Sequence, residues 1–161
     1  MTDSDPHKQL GAALGRIPSG LFVLTARRGE QETGMLASWV QQCSFEPPQI
    51  SVAVKRGREV AAWLTEGAAF VLNVLDDSQT DVLIHFGKGF PLGEPAFDGL
   101  EVERTEGGVP VLSEALAYLD CRVVGRYPAG DHDLYIGRVV AGRMLGEGHP
   151  MVHIRKSGFH Y

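Results

Sequence analysis

Two long runs, about 115 to 127 and 133 to 144, read as strands joined only by "PAGDHD". So short a link makes them an antiparallel pair, because a parallel crossover needs a dozen or more residues. Smaller units of the same kind precede them. "GLFVLTA" (20 to 26) is apolar on both faces, as a buried strand is. "MLASWVQQ" pairs with it as a hairpin across the polar turn "RRGEQETG". "QISVAVK" alternates: Ile50, Val52 and Val54 face one way, Ser51, Ala53 and Lys55 the other. "AAFVLNVL" and a short run near 151 to 155 bring the total to about seven strands.

The helical signals are fewer. Ser4 or Asp5 caps a helix with Pro6 at its first position, and Leu10, Ala13, Leu14 and Ile17 form its apolar face. "REVAAWLTEG" is a short helix closed by Gly67, and "SQTDVLIHFG" starts another at Ser78. Residues 87 to 99 hold four Gly and two Pro and read as a long loop, a feature often tied to function. The expected fold class is mainly β, a barrel carrying a few peripheral α-helices. A doubly wound α/β fold fits poorly, since no GxGxxG joins a strand to a helix and there is no P-loop. With 161 residues, 43% of them hydrophobic, one domain over 1–161 is expected, with a flexible N-terminus at 1–8.

A net charge of -5 argues against nucleic acid as the partner. A local basic cluster on an acidic chain points to a small anion instead. The acidic "MTDSDPHKQL" is neither a signal nor a transit peptide, and no apolar run approaches the ~20 residues of a membrane span. Cys43 and Cys121 form no CxxC, so reduced thiols in a cytoplasmic protein are expected, with no membrane partner.

"LASWVQQCSFEPPQISVAVKR" (36 to 56) carries the first chemical signal. Ser38, Gln41 and Ser44 offer hydroxyl and amide donors, and a bend there exposes backbone N–H groups from about Gln42 to Phe45. Lys55, Arg56 and Arg58 supply cations. Converging donors beside a cation suit a phosphate; a polar turn followed by a solvated basic loop gives the same pattern. Trp39 suits a core, an interface or the wall of a ring-shaped ligand, and Trp63 a core or interface. "GDHDLYIG" (130 to 137) is the second signal. A hairpin presents Asp131 and His132 at a barrel mouth, and a tight turn with an exposed histidine is the plainer alternative. Neighbouring strand residues face opposite ways, so Asp131 and His132 are not expected to share a metal ion. His85, His149, His153 and His160 lack metal spacing, and His85 reads as a partly buried structural residue. Cys43 near cations admits a thiolate, against the plainer reading of a packed turn. There is no GxSxG nucleophile elbow.

Together "GMLASWVQQCSFEPPQISVAVKRGREVAAWLTEGAAFVLNVL", "GDHDLYIGRV" and "RKSGFHY" resemble the flavin reductase-like, FMN-binding split-barrel family. The likeness runs from about residue 15 to the end. Within that family the chain is most similar to the flavin reductase domain of cyanobacterial flavodiiron proteins and to its stand-alone relatives. The resemblance implies a Greek-key split β-barrel homodimer that binds FMN, or FAD, non-covalently. It implies that Leu36, Ala37, Ser38 and Trp39 meet the ring and ribityl chain. Gln41, Gln42, Cys43, Ser44 and Phe45 would then hold the phosphate, completed by Lys55 and Arg58. Gly130, Asp131, His132 and Gly137 match the GDHxxxxG signature associated with NAD(P)H, and Tyr161 joins them on the nicotinamide side. The implied activity is NAD(P)H-dependent hydride transfer to flavin N5, with His132 as its catalytic, positioning residue and electrons passing to free flavin or an acceptor protein. A non-enzymatic flavin carrier or sensor, and a haem-binding split barrel, are the alternatives.

Overall fold

The computed structural model describes residues 5–161. Ser4, one of the two expected helix caps, lies outside them. Helix α1 (Pro6–Gly15) is capped by Asp5, whose side chain accepts a hydrogen bond from the His7 amide at 3.0 Å, with Pro6 in its first turn. Residues 6–8 of the expected flexible N-terminus are therefore helical.

The face of α1 that packs is not the apolar one. Leu10, Leu14 and Ile17 are exposed, while Gly11 and Gly15 are buried. The cause is close backbone approach by the C-terminal segment. The Gly158 amide donates to the Gly11 carbonyl at 2.7 Å, and a Cβ on Gly15 would stand 2.5 Å from the Arg155 carbonyl oxygen. His7 also stacks on Phe159 with ring centroids 4.3 Å apart. Helix α1 is thus the clamp that holds residues 155–161 in place.

The strands are β1 (Ser19–Gly20), β2 (Phe22–Arg28), β3 (Gln31–Ala37), β4 (Val40–Ser44), β5 (Gln49–Lys55), β6 (Ala69–Val74), β7 (Val102–Arg104), β8 (Pro110–Leu112), β9 (Ala117–Ala129), β10 (His132–Met144) and β11 (Val152–His153). Helices α2 (Glu59–Thr65) and α3 (Thr80–Gly87) flank β6 in sequence. Seven strands form one antiparallel sheet in the order β3-β2-β6-β9-β10-β5-β4; β1 pairs with β11 and β7 with β8.

That order dictates the shape of the sheet. Flat, seven strands would hold β3 and β4 about 29 Å apart. Yet β3 ends at Ala37 and β4 begins at Val40, a link of three Cα steps that reaches at most ~11 Å. The sheet must curl until its two edges meet at Ser38 and Trp39. No ladder joins β3 to β4, so the expected barrel is not closed: the curl stays open along this seam. Inside it lie Phe70, Tyr135, Leu24, Leu64, Val52, Val54 and Trp63, all essentially buried, which settles Trp63 as a core aromatic.

Several expected boundaries move. The polar turn of the first hairpin shrinks to Gly29 and Glu30, since Arg27 pairs with Glu32 and Arg28 with Gln31. "MLASWVQQ" is not one strand; it is divided at Ser38 and Trp39 between β3 and β4. "PAGDHD" shrinks to Gly130 and Asp131, with Gly130 at φ 65°, the Gly-first geometry of a tight two-residue hairpin. The β7–β8 hairpin was not expected.

Asp133 locks the mouth of that tight hairpin. Its carboxylate accepts from Arg126 on β9 at 2.7 Å and from Arg56, just past β5, at 3.0 Å. These bonds, Arg126 first, hold the Asp133 carboxyl below its usual 3.8. A lowered folded pKa stabilises the fold at pH values above 3.8, and that contribution is lost as the pH falls through the lowered value. Asp133→Asn should therefore lower the urea midpoint at neutral pH and bring it closer to wild type in acid. Urea titrations across acid pH measure this, and parallel curves for the two proteins would count against the lock.

Candidate active site

Two adjoining clefts lie on the seam. The first, about 370 Å³, is walled by Leu21, Met35, Leu36, Leu83 and Phe86 and floored by Ala37, Ser38 and Ala53, with Lys55 and Arg58 also lining it. The second, about 280 Å³, is lined by Asp131, His132, Arg155, Phe159 and His160. Trp39, Lys55 and Tyr161 belong to both.

Strand register explains the convergence. The Ala53 amide donates to the Trp39 carbonyl at 3.0 Å, which sets the start of β4 beside the C-terminal half of β5. His132 pairs with Lys55, and the Arg56 amide donates to the Asp131 carbonyl at 3.0 Å, so the tight hairpin ends beside the basic cluster. Of the three cations there, Arg56 is engaged by Asp133, whereas Lys55 and Arg58 have no ion-pair partner among the described residues.

His132 is buried and tightly held, not the exposed residue of a bare turn. Its Nδ1 lies 2.7 Å from Asp131 Oδ1 and its Nε2 2.5 Å from the Tyr161 hydroxyl. Its ring packs on Trp39 with centroids 4.6 Å apart. The hydrogen bond from His132 holds the Asp131 carboxyl low, so Asp131 is an acceptor and Nδ1–H the donor. In the neutral imidazole Nε2 then accepts from the Tyr161 O–H. Desolvation raises the Tyr161 pKa, which keeps that hydroxyl protonated. Asp131 and His132 converge because Asp131 sits in the turn, not in a strand with the opposite facing. No cluster among the described residues suits a metal ion.

The segment 36–45 divides between two places. Leu36, Ala37, Ser38 and Trp39 line the first cleft. Gln41 lines only a neighbouring open groove, with Ser38, Trp39 and Arg155. Gln42, Cys43, Ser44 and Phe45 line neither cleft. Here β4 runs antiparallel to β5, pairing Gln42 with Ile50 and Ser44 with Gln49, toward the end of β5 away from Lys55. Six residues of strand cover ~20 Å, too far for one phosphate to touch Ser44 and Lys55. The expected bend is a strand with a bulge at Cys43, which is exposed rather than packed. Neither cysteine forms a disulfide, and burial pushes the Cys121 thiol up to about 12. Gly137 lies inside the sheet, where a Cβ would meet the buried Phe70 ring at 2.7 Å, so its place is one of packing. His85 is half-buried, with Nε2 2.7 Å from the Ala96 carbonyl, as a structural histidine.

Sequence reasoning missed Arg155, His153 and the α3 wall. Leu83, Phe86 and Gly87 follow i, i+3, i+4 spacing and were findable as one helix face. Arg155 lay within the quoted "RKSGFHY", but nothing in that run singled it out as a site residue.

A curled antiparallel sheet with an apolar cleft, cations beside it and a second cleft against it suits a flat ring with an anionic tail and a second ligand next to it. Residues 14–160 match the flavin reductase like domain, and the chain belongs to that family. It is 42% identical over 161 residues to Diflavin flavoprotein A 1 of Synechocystis sp., covering 99% of this chain and 27% of that protein. The chain thus spans about a quarter of such relatives. Among solved structures, the Streptomyces globisporus C-1027 NADH:FAD oxidoreductase SgcE6 superposes with a TM-score of 0.84 at 28% identity, covering 98% of this chain and 92% of that one. The same protein in complex with NAD and FAD fragments gives 0.83 at 26%, covering 96% and 92%. No helix among the described residues is long and apolar enough to cross a membrane.

Proposed function

We propose that the protein reduces FMN, or FAD, at the expense of NADH or NADPH, the flavin lying in the first cleft and the nicotinamide entering from the second. The observation that carries this is the shared wall: Trp39, Lys55 and Tyr161 line both clefts, so ligands in the two meet there. The volume of the first cleft supports the fit, since about 370 Å³ falls within the ~300–1,000 Å³ of small-molecule sites. So does chemistry, since the apolar residues suit a flat ring and Lys55 and Arg58 suit an anionic tail. A flavin held there would supply the hydride acceptor, N5, and the onward transfer of electrons.

The residues of this chain bind and orient. Ala53 leaves room where a larger side chain would fill the floor. Lys55 and Arg58 meet the phosphate, and Leu36–Trp39 the ring and ribityl chain. His132 is a positioning residue: it fixes the Tyr161 hydroxyl and the Trp39 face, and Gly130 and Asp131 fix His132. Gln42–Phe45 have no role at this cleft within one chain. A homodimer gives them one, and the exposed Leu14, Ile17 and Val152 beside the open groove of Ser38, Trp39 and Gln41 favour such a contact. The domain spans the whole chain, works in the cytoplasm and hands electrons to free flavin or an acceptor protein.

Steady-state consumption of NADH or NADPH, with and without added FMN or FAD, tests this reading. Turnover that depends on flavin is expected. Flavin binding without nicotinamide oxidation would leave the protein a carrier or sensor.

A further inference from the structure

Arg155 is 8% exposed, yet no carboxylate among the described residues pairs with it. A buried cation without a counter-charge is costly to keep. Its protein contacts are thin. Nη1 reaches the Gly158 and His160 carbonyls only at 3.4 Å each, at the outer edge of hydrogen bonding, and the guanidinium carbon stands 5.1 Å over the Trp39 ring. Nε and Nη2 have no protein acceptor among the described residues. No fully buried side-chain nitrogen or oxygen there lacks a partner, so these two are not fully buried, and Arg155 lines both the second cleft and the open groove beside it.

The second cleft carries two permanent cations, Lys55 and Arg155, and its single acid, Asp131, is already bonded to His132. We propose that Arg155 binds the pyrophosphate of the nicotinamide dinucleotide in this cleft. The inference rests on the reductase reading above and adds where the dinucleotide's charge is held. A free edge of two N–H groups matches the paired oxygens of a phosphate. Distance favours the pyrophosphate over the 2′-phosphate at the far end of NADPH: both His132 and Arg155 pack on the Trp39 ring, which keeps them within about 10 Å of each other. The flavin phosphate is the less suited anion, since Arg155 does not line the first cleft.

The test compares NADH with dihydronicotinamide riboside, a hydride donor without phosphate. Arg155→Gln should lower kcat/KM about tenfold with NADH. It should change far less with the riboside, with FMN affinity held and losses alike for NADH and NADPH. Equal losses with NADH and the riboside would make Arg155 structural. A larger loss with NADPH than with NADH would move the anion to the 2′-phosphate, and weaker FMN binding with riboflavin unaffected would move it to the flavin; any of the three overturns the proposal. Wild type gives an arm that needs no variant: inorganic pyrophosphate should compete with NADH and not with the riboside, and failure to compete also overturns it. If wild type oxidises neither donor, the reductase reading has failed, and calorimetry with pyrophosphate still decides whether the cleft binds the anion.

Discussion

Lys55→Glu and Arg58→Glu each weaken FMN binding by roughly 10- to 100-fold and leave riboflavin nearly untouched. The estimate follows from losing a charge-assisted hydrogen bond, about 1.5–3 kcal/mol. It is specific to these two cations. Arg56, between them, is already engaged by Asp133, so its replacement should cost stability and not phosphate affinity. Register adds to the effect, because the Ser44 end of β4 lies too far along β5 to substitute within one chain. Titrations with FMN and riboflavin, followed by quenching of flavin fluorescence, measure the ratio. Equal losses for the two flavins would remove the phosphate from this end of the cleft.

The second large effect is expected at His132. Its replacement by alanine removes a buried ring, both of its hydrogen bonds and its contact with Trp39. The fold should lose ~1–3 kcal/mol, since the Tyr161 hydroxyl and the Asp131 carboxylate lose their partner. kcat/KM for NADH should fall about tenfold while FMN affinity changes little. Tyr161→Phe separates stability from orientation: it removes one hydroxyl from an exposed residue and should reproduce much of the kinetic loss with little loss of stability. Stopped-flow reduction of bound FMN and urea unfolding read the two effects. Unchanged reduction in both variants would leave the hairpin only a turn.

What was legible in the sequence follows from what is local. Strand alternation in β5 fixed its buried and open faces residue by residue, because burial of Ile50, Val52 and Val54 needs nothing beyond period two. The GDH hairpin was visible because a two-residue turn with Gly first is itself a sequence pattern. The apolar face of α1 misled, because close backbone packing at Gly11 and Gly15 outweighed the leucines. The polar run 36–45 misled differently. Composition told that donors exist, but only the β4–β5 register tells that half of them travel away from the cations. Arg155 was legible only as part of "RKSGFHY" and not as a site residue, since its isolation from carboxylates exists only in three dimensions.

If the proposed function holds, this chain brings a reduced nicotinamide onto a bound flavin at the wall of Trp39, Lys55 and Tyr161. The most direct measurement is an anaerobic stopped-flow experiment on the protein loaded with FMN and mixed with NADH or NADPH. Loss of the flavin's visible absorbance is expected, with a rate that saturates as the nicotinamide rises. A protein that holds FMN and leaves that absorbance unchanged with both nicotinamides would contradict it.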